Sequence, residues 1–509
     1  MPSHPDLLAP LKRYWGYDGF RPLQERIVRS VLDGHDIAVV MPTGGGKSLC
    51  YQLPAVVMGS TAVVISPLIS LMQDQAAQLE QMGIPAAVLN SSLGPAEQNE
   101  VIRHAISGAY RLLYLSPERL ARHDTVEWLS RAPIAFFAID EAHCISEWGH
   151  EFRPEYRQLS ALRERFPDRP IAAFTASATQ RVRHDILAQL RLREPDKYIA
   201  SFYRPNLRYL VRQCDGAGQS RLLVAALRAH AGENAIVYAP TVARVGETVQ
   251  FLKQQGIRAV GYHGKMDAAE RQRNQECWMS DEVRVLVGTI AFGLGINKPS
   301  VRAVVHLALP KSIEQYYQEA GRAGRDGLAA DCALLWQKRD IGLLTYFIDS
   351  LNDPAEKERA WERYHAMRRF AEASRCRHRQ ICTHFGETPK WETCSMCDVC
   401  AALPDWMAAP KAQDTKRRKP KRLKSQILEP QPSGLADHMR EWRRTIAKAN
   451  GVPAYVILHD STLEEICRRR PASIEDLLEI PGIGARKADT YGREILSVVA
   501  AFPDPHSAA

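Results

Sequence analysis

Short apolar runs recur along the first two thirds of the chain, at residues 37–40, 62–65, 112–115, 134–139 and 171–174. Their length and the turn residues that bound them predict buried strands. A polar, charged segment over 191–208 breaks the pattern and reads as a linker. The alternation resumes after Ser220, with strands at 235–238 and 259–262, a helix over 241–255 and another apolar run at 282–287. Strands alternating with helices predict parallel sheets, here in two α/β domains. Residues 401–434 have no apolar periodicity and read as a flexible basic linker carrying KRRKPKRLK. Over 435–501 apolar residues fall at helical spacing, among them Trp442, Ile446, Leu463, Ile466, Leu477 and Ile495. That predicts a small all-helical domain with a capping box at Ser461 and Glu464. The expected limits are 1–205, 206–345, 346–405, 406–433 for the linker, and 434–509.

The turn after the first run is MPTGGGKS, residues 41–48. Beyond Thr43, the glycines Gly44, Gly45 and Gly46 let backbone N–H groups converge on a phosphate. Lys47 supplies a point charge, and Ser48 a hydroxyl for Mg²⁺. The bland alternative is a β-turn with a surface lysine. The run 134–139 ends in Asp140 and Glu141, where one carboxylate can hold Mg²⁺ and the next can activate water. An acidic pair there could also cap a helix, but together the two stretches imply hydrolysis of a nucleoside triphosphate.

Upstream, Trp15, Tyr17 and Phe20 precede Arg21 and Gln24. An aromatic ring here could stack on a purine, and the Gln24 amide could read an adenine edge. Ser66 follows another strand end and could meet a phosphate. In CISEWGHEFRPEY, Trp148, His150, Phe152 and Arg153 suit a stacking platform with phosphate contacts, or plain packing. The second α/β domain has no phosphate loop, but Gln315, Gln318, Arg322 and Arg325 lie on one helix and its end, so either arginine could reach a γ-phosphate; Asp326 is the ordinary alternative partner.

Charge and cysteines refine this picture. A net charge of +9 and a pI near 9.0 lean toward a polyanionic partner. No apolar run is long enough to span a membrane and no secretory leader is visible, so a cytoplasmic protein is expected. Five of eleven cysteines fall between 376 and 400. Cys394, Cys397 and Cys400 with Cys376 can close a tetrahedron around a structural Zn²⁺, with Cys382 and His384 as rival ligands. Arg375, Arg377, His378 and Arg379 would surround it with a basic surface. In the last domain, the glycine hairpin IPGIGARK could offer backbone N–H groups, Arg486 and Lys487 to a phosphate.

The strings GFRPLQ, MPTGGGKSLCYQ, SPLISLMQDQ, DEAHCISEWGH, FRPEY, AFGLGINKP and YYQEAGRAGRDG resemble the tandem RecA-like core of superfamily 2 helicases, and within it the RecQ family, over residues 10–400. The resemblance implies ATP and Mg²⁺ as cofactors and 3′ to 5′ movement on single-stranded DNA. Duplex or branched DNA is the implied substrate, repair proteins are possible partners, and the state is expected to be monomeric. It casts Arg21 and Gln24 as adenine readers and Arg322 and Arg325 as the arginine motif, with Arg325 the finger. It makes Trp148, His150, Phe152 and Arg153 the loop coupling DNA to hydrolysis, and it selects Cys376 over its rivals for Zn²⁺. Residues 435–501 resemble an HRDC domain. One departure stands out: where longer members continue with a winged helix after the last zinc ligand, this chain has a short basic stretch. A DNA-stimulated translocase or remodeller with weak unwinding is therefore the second reading, and an RNA helicase a third.

Overall fold

The computed structural model describes residues 5–90, 93–289, 298–408, 434–450, 452 and 454–502. The expectations placed on 291–297 and on the basic stretch 416–424 lie outside these residues. The first sheet holds β1 (Ile37–Val40), β2 (Thr61–Ile65), β3 (Ala86–Leu89), β4 (Leu112–Leu115), β5 (Ile134–Ile139), β6 (Ile171–Thr175) and β7 (Asp196–Ile199). They pair in parallel in the order β3-β4-β2-β5-β6-β1-β7. Every residue of β2, β4, β5 and β6 is buried, as helices on both faces of a parallel sheet require.

The second sheet holds β8 (Leu207–Gln213), β9 (Asn234–Tyr238), β10 (Ala259–Tyr262), β11 (Val285–Gly288), β12 (Val301–His306) and β13 (Ala330–Trp336), also parallel, in the order β10-β11-β9-β12-β13-β8. The tandem of RecA-like domains expected from the sequence is thus observed. Four strands lie where none was read: β3, β8, β12 and β13. The segment read as a linker contributes an edge strand, β7, because Asp196–Ile199 pairs with Ile37–Val40.

Helices Asp340–Asp349, Pro354–Glu372 and Arg377–His384 lead into the cysteine cluster. The C-terminal helical domain packs Met439, Ile457, Leu463, Ile466, Leu477 and Ile495 around one core. Its expected capping box does not form. Asp460 already begins the helix Asp460–Arg469, which places Ser461 inside the first turn and leaves His459 at the cap position. The box forms one helix later, where Ser473 Oγ accepts from Asp476 N and the Asp476 carboxylate accepts from Ser473 N.

This small domain rests on both α/β domains. Tyr491 Oη donates to Gln81 Oε1 at 2.8 Å on the first. On the second, Ser300 Oγ donates to Asp460 Oδ2 at 2.8 Å and Arg444 donates to Ser280 O at 3.0 Å. The glycine hairpin is packed against protein instead of being open to a phosphate. A Cβ on Gly484 would stand 2.6 Å from Arg13 O, and Lys487 is only 4% exposed.

Asp460 also pairs with Arg443 at 2.7 Å, and Arg443 and Lys298 are each about 2% exposed. Against the cost of burial, Arg443 and then Lys298 hold the Asp460 carboxyl down to about 2. Removing one member of a buried ion pair costs about 3–5 kcal/mol, because the other charge stays buried without it. Asp460→Ala is therefore expected to destabilise the docked helical domain by roughly 3 kcal/mol. The measurement is thermal unfolding together with proteolysis of residues 434–502, and unchanged melting and cleavage would show that docking does not depend on this carboxylate.

Candidate active site and metal centre

β1 ends at Val40 opposite Thr175 of β6, so the glycine loop leaves the sheet beside Thr175-Ala176-Ser177. Met41 N donates to Thr175 O at 3.0 Å across that junction. Gly44 and Gly46 both have φ +84°, in the left-handed region that glycine enters without strain. A Cβ on Gly46 would overlap the Gln24 amide. That amide donates to Gly45 O at 3.3 Å and Gly46 O at 3.2 Å, while its oxygen accepts from Arg21 N at 2.8 Å. The Arg21 guanidinium donates to Gly44 O. Gln24 and Arg21 thus brace the loop's carbonyls and leave its N–H groups to other partners. Trp15 is placed differently from expectation: it is 6% exposed within the first domain's apolar cluster and has no open ring face for a purine.

Lys47 Nζ donates to Met41 O at 3.2 Å. Burial lowers its pKa, opposed by Glu141 and Asp140 and reinforced by Arg325. Glu141 sits at φ +46°, an uncommon conformation for a side-chain-bearing residue and one that functional sites tolerate. Asp140 N donates to Ile65 O at 2.8 Å, and Asp140 O accepts from Tyr156 Oη at 3.0 Å, which fixes the acidic turn at the sheet's edge. Burial and then the Glu141 charge push Asp140 up. Glu141 is held low despite its burial because His143 stands 3.3 Å away. The His143 ring in turn meets Thr175 Oγ1 at 2.9 Å and stacks on His150 at 4.7 Å. A buried pair of carboxylates facing Lys47, the residue before Ser48, suits a hard divalent cation.

The second domain closes over this site. Arg325 lies against the glycine loop, with its Cγ 3.3 Å from where a Gly44 Cβ would be. Burial, then Arg322 and Arg204, bring the Arg325 pKa down to about 9, so cations converge on one enclosed space. Asp326 does not neutralise them, because it pairs with Arg302. Gln318 Nε2 donates to Ser177 Oγ at 2.9 Å, tying the second domain's helix Ile313–Ala320 to the first domain's β6 loop.

The aromatic loop is less open than its composition suggests. Arg181 stands 3.0 Å and Arg359 5.4 Å from the centre of the Trp148 ring, and Arg157 stands 5.3 Å from that of Phe152. A base stacking on Trp148 must displace a guanidinium. Arg153 donates to Pro67 O at 3.2 Å, which links this loop to the end of β2. Ser66 is 1% exposed and its N–H is held by Leu115 O at 3.1 Å, so it cannot reach DNA as placed. Arg204, Arg181 and Arg359 escaped the sequence reading, since isolated arginines outside motifs carry no local signal.

The sulfurs of Cys376, Cys394, Cys397 and Cys400 all lie within 4.8 Å of one another, a donor set that fits tetrahedral Zn²⁺. Cys382 is buried outside the cluster, and His384 pairs with Glu314 at 2.7 Å. The basic surface expected here is partly interior. Arg377 is 4% exposed and pairs with Asp398 through two bonds of 2.9 Å, and His378 is 1% exposed.

Comparison with known proteins adds four family matches. They are the DEAD/DEAH box helicase over residues 21–186, the helicase conserved C-terminal domain over 218–327, RecQ zinc-binding over 338–401 and the HRDC domain over 433–499. The ATP-dependent DNA helicase RecQ of Haemophilus influenzae is 34% identical, covering 97% of this chain and 96% of that protein. The protein of the same name from Bacillus subtilis is 32% identical, covering 97% and 98%. Among solved structures, S. cerevisiae Dbp5 bound to RNA and ADP BeF3 aligns with a TM-score of 0.54 at 16% identity, over 71% of this chain and 97% of that one. The DUF1998 helicase MrfA bound to DNA aligns at 0.53 and 19% identity, over 66% and 52%. At such identities the structural likeness concerns the fold alone.

If the four cysteines hold one Zn²⁺, chelation or Cys397→Ser should release it and loosen residues 376–400, because metal binding and local folding are linked. The check is metal content, expected at about one zinc per chain in the unaltered protein. A zinc-free protein of equal stability would contradict the site.

Proposed function

Because the chain belongs to the RecQ family of ATP-dependent DNA helicases, we propose that the cleft between its two parallel-sheet domains hydrolyses ATP to drive 3′ to 5′ movement on single-stranded DNA and separation of duplex or branched DNA in repair and recombination. It is an enzyme that uses ATP with Mg²⁺ and carries a structural zinc. The observation that carries the residue roles is the enclosure of Lys47, Asp140, Glu141 and Arg325 in one cleft, supplied by both domains.

The glycine-loop N–H groups and Lys47 bind the outer phosphates, with Thr43 to Gly46 shaping the cradle. Ser48 and Asp140 would hold Mg²⁺, which when bound neutralises phosphate charge. Glu141, kept ionised by His143, accepts a proton from the attacking water as the oxygen adds to the γ-phosphorus. As the bond to the leaving oxygen breaks, Arg325 with Arg322 meets the charge spread over the γ-phosphoryl oxygens. Gln24 and Arg21 keep the loop in shape for an adenine nucleotide. Trp148, His150, Phe152 and Arg153 report DNA to the site through the His143–His150 stack, which links this loop to Glu141. The domain limits given above, a monomeric state and a cytoplasmic location complete the proposal. Among the described residues no helix is long and apolar enough to cross a membrane.

The second reading, a DNA-stimulated translocase with little unwinding, has one observation in its favour. The alignment with the Haemophilus protein runs over 595 positions, while this chain has 509 residues, so that relative carries stretches missing here. Only residues 402–432 separate the zinc-binding and HRDC matches, in agreement with the short basic stretch read there in place of the winged helix of longer family members.

A duplex with a 3′ single-stranded tail, run beside a 5′-tailed and a blunt one with ATPase followed in the same tubes, decides between them. Separation of the 3′-tailed substrate alone is expected, and ATPase without separation would favour the translocase. Glu141→Gln serves as the control. It should retain ATP binding while turnover falls at least about 100-fold, the scale of general-base catalysis.

A further inference from the structure

The peptide that joins the two sheets holds no residue singled out from the sequence, yet Arg204 within it touches both halves of the nucleotide cleft. Its Nη1 donates to Thr43 O, in the phosphate loop, at 3.0 Å. Its Nη2 donates to Gly324 O at 3.2 Å and Ala323 O at 3.4 Å, the two residues before Arg325. Asn206 adds a second hold on the same turn, donating to Gly324 O at 2.8 Å and Leu328 O at 2.9 Å. Gly324 has φ +54°, and a Cβ there would overlap the Asn206 amide, so the turn carrying the arginine is closely packed. From a third side His378 Nε2 lies 3.0 Å from Arg204 O. A carbonyl only accepts, so this nitrogen carries the proton. His378 stands two residues beyond the cluster ligand Cys376, with its ring edge-on to Tyr203 and Tyr209.

We propose that Arg204 is a positioning residue for Arg325, setting the span between the loop that holds the phosphates and the turn that delivers the arginine finger, and that the zinc module steadies it through His378. The inference rests on the reading of Arg325 as the γ-phosphate ligand. Arg204 itself bonds protein carbonyls in both domains and acts through the geometry it imposes. A guanidinium is suited to this because its five N–H donors form a rigid fork whose separate nitrogens reach carbonyls on two sides, whereas an ammonium gathers its three donors on one nitrogen at the end of a flexible stem. The acceptors are backbone atoms, so the tie measures the separation of the two main chains directly. A misplacement of about 1 Å at such a site can cost on the order of 100-fold in rate.

The test uses the full chain with Mg²⁺ and saturating single-stranded DNA, following ATPase against ATP concentration. Arg204→Ala is expected to lower kcat about tenfold or more while KM for ATP stays within about threefold, the signature of a lost transition-state interaction. Arg204→Lys keeps the charge but loses the fork, and should recover less than about a third of wild-type kcat. His378→Phe keeps a ring between the tyrosines but removes the N–H; kcat should fall about threefold at unchanged zinc content. A raised KM with unchanged kcat in Arg204→Ala, or full rescue by lysine, would overturn the proposal. Arg325→Ala is run beside these. Near-normal turnover there would mean that the finger assignment has failed. A dead Arg325→Ala beside an unaffected Arg204→Ala would sink the positioning role alone. Should Arg204→Ala not fold, Asn206→Ala removes the neighbouring hold and must show the same kcat-selective loss, or the proposal falls.

Discussion

Like charges brought together in a closed space constrain everything else in this molecule. Lys47, Arg322, Arg325 and Arg204 converge on one cleft, and burial together with mutual repulsion lowers the pKa of Arg325 to about 9. On the floor of the same cleft, Asp140 and Glu141 repel each other. Such an arrangement is costly on its own and is relieved by a polyanion carrying a divalent cation. Since the cations come from two domains and the carboxylates from one, ligand charge acts on the separation of the domains as well as on affinity.

The fold makes that convergence possible through topology. In each sheet the parallel strands deliver their loops to one edge, so β1, β5 and β6 bring the glycine loop, the acidic turn and Ser177 side by side. The second sheet presents Gln318, Arg322 and Arg325 from one helix and its end. Further elements rest on this core. The zinc module reaches the joining peptide through His378, and the C-terminal helical domain contacts both sheets through Tyr491 and Asp460. Any opening of the cleft therefore has to deform or release contacts made well away from the nucleotide.

The chemistry was legible in the sequence because each half of it is contiguous. MPTGGGKS, Asp140-Glu141 and the arginine helix each announce themselves within a few residues, and the cysteine spacing does the same for zinc. What could not be read depends on tertiary contact. β7 sits in a charged segment and forms only because β1 offers it an edge. Trp15 and Ser66 looked available, yet both are enclosed by packing that no local pattern encodes. Arg377 and His378 read as a basic surface and are instead interior, one paired with Asp398 and the other bonded to the linker. The glycine hairpin near Gly484 needs its small residues for close approach to residues 13 and 14, a reason for glycine that spacing cannot distinguish from phosphate binding.

The central claim is that the γ-phosphate joins two domains whose cations await it. The most direct measurement is the thermal stabilisation produced by Mg²⁺ with ADP, set against Mg²⁺ with ADP and beryllium fluoride at the same nucleotide concentration, well above both dissociation constants. A ligand in excess that binds the folded state stabilises it in proportion to the logarithm of its free concentration over its dissociation constant, so at one concentration the tighter ligand gives the larger shift. The account predicts a clearly larger upward shift with beryllium fluoride, because only that complex fills the position facing Arg322 and Arg325. Equal shifts for the two ligands would contradict it, placing nucleotide recognition in the first domain alone.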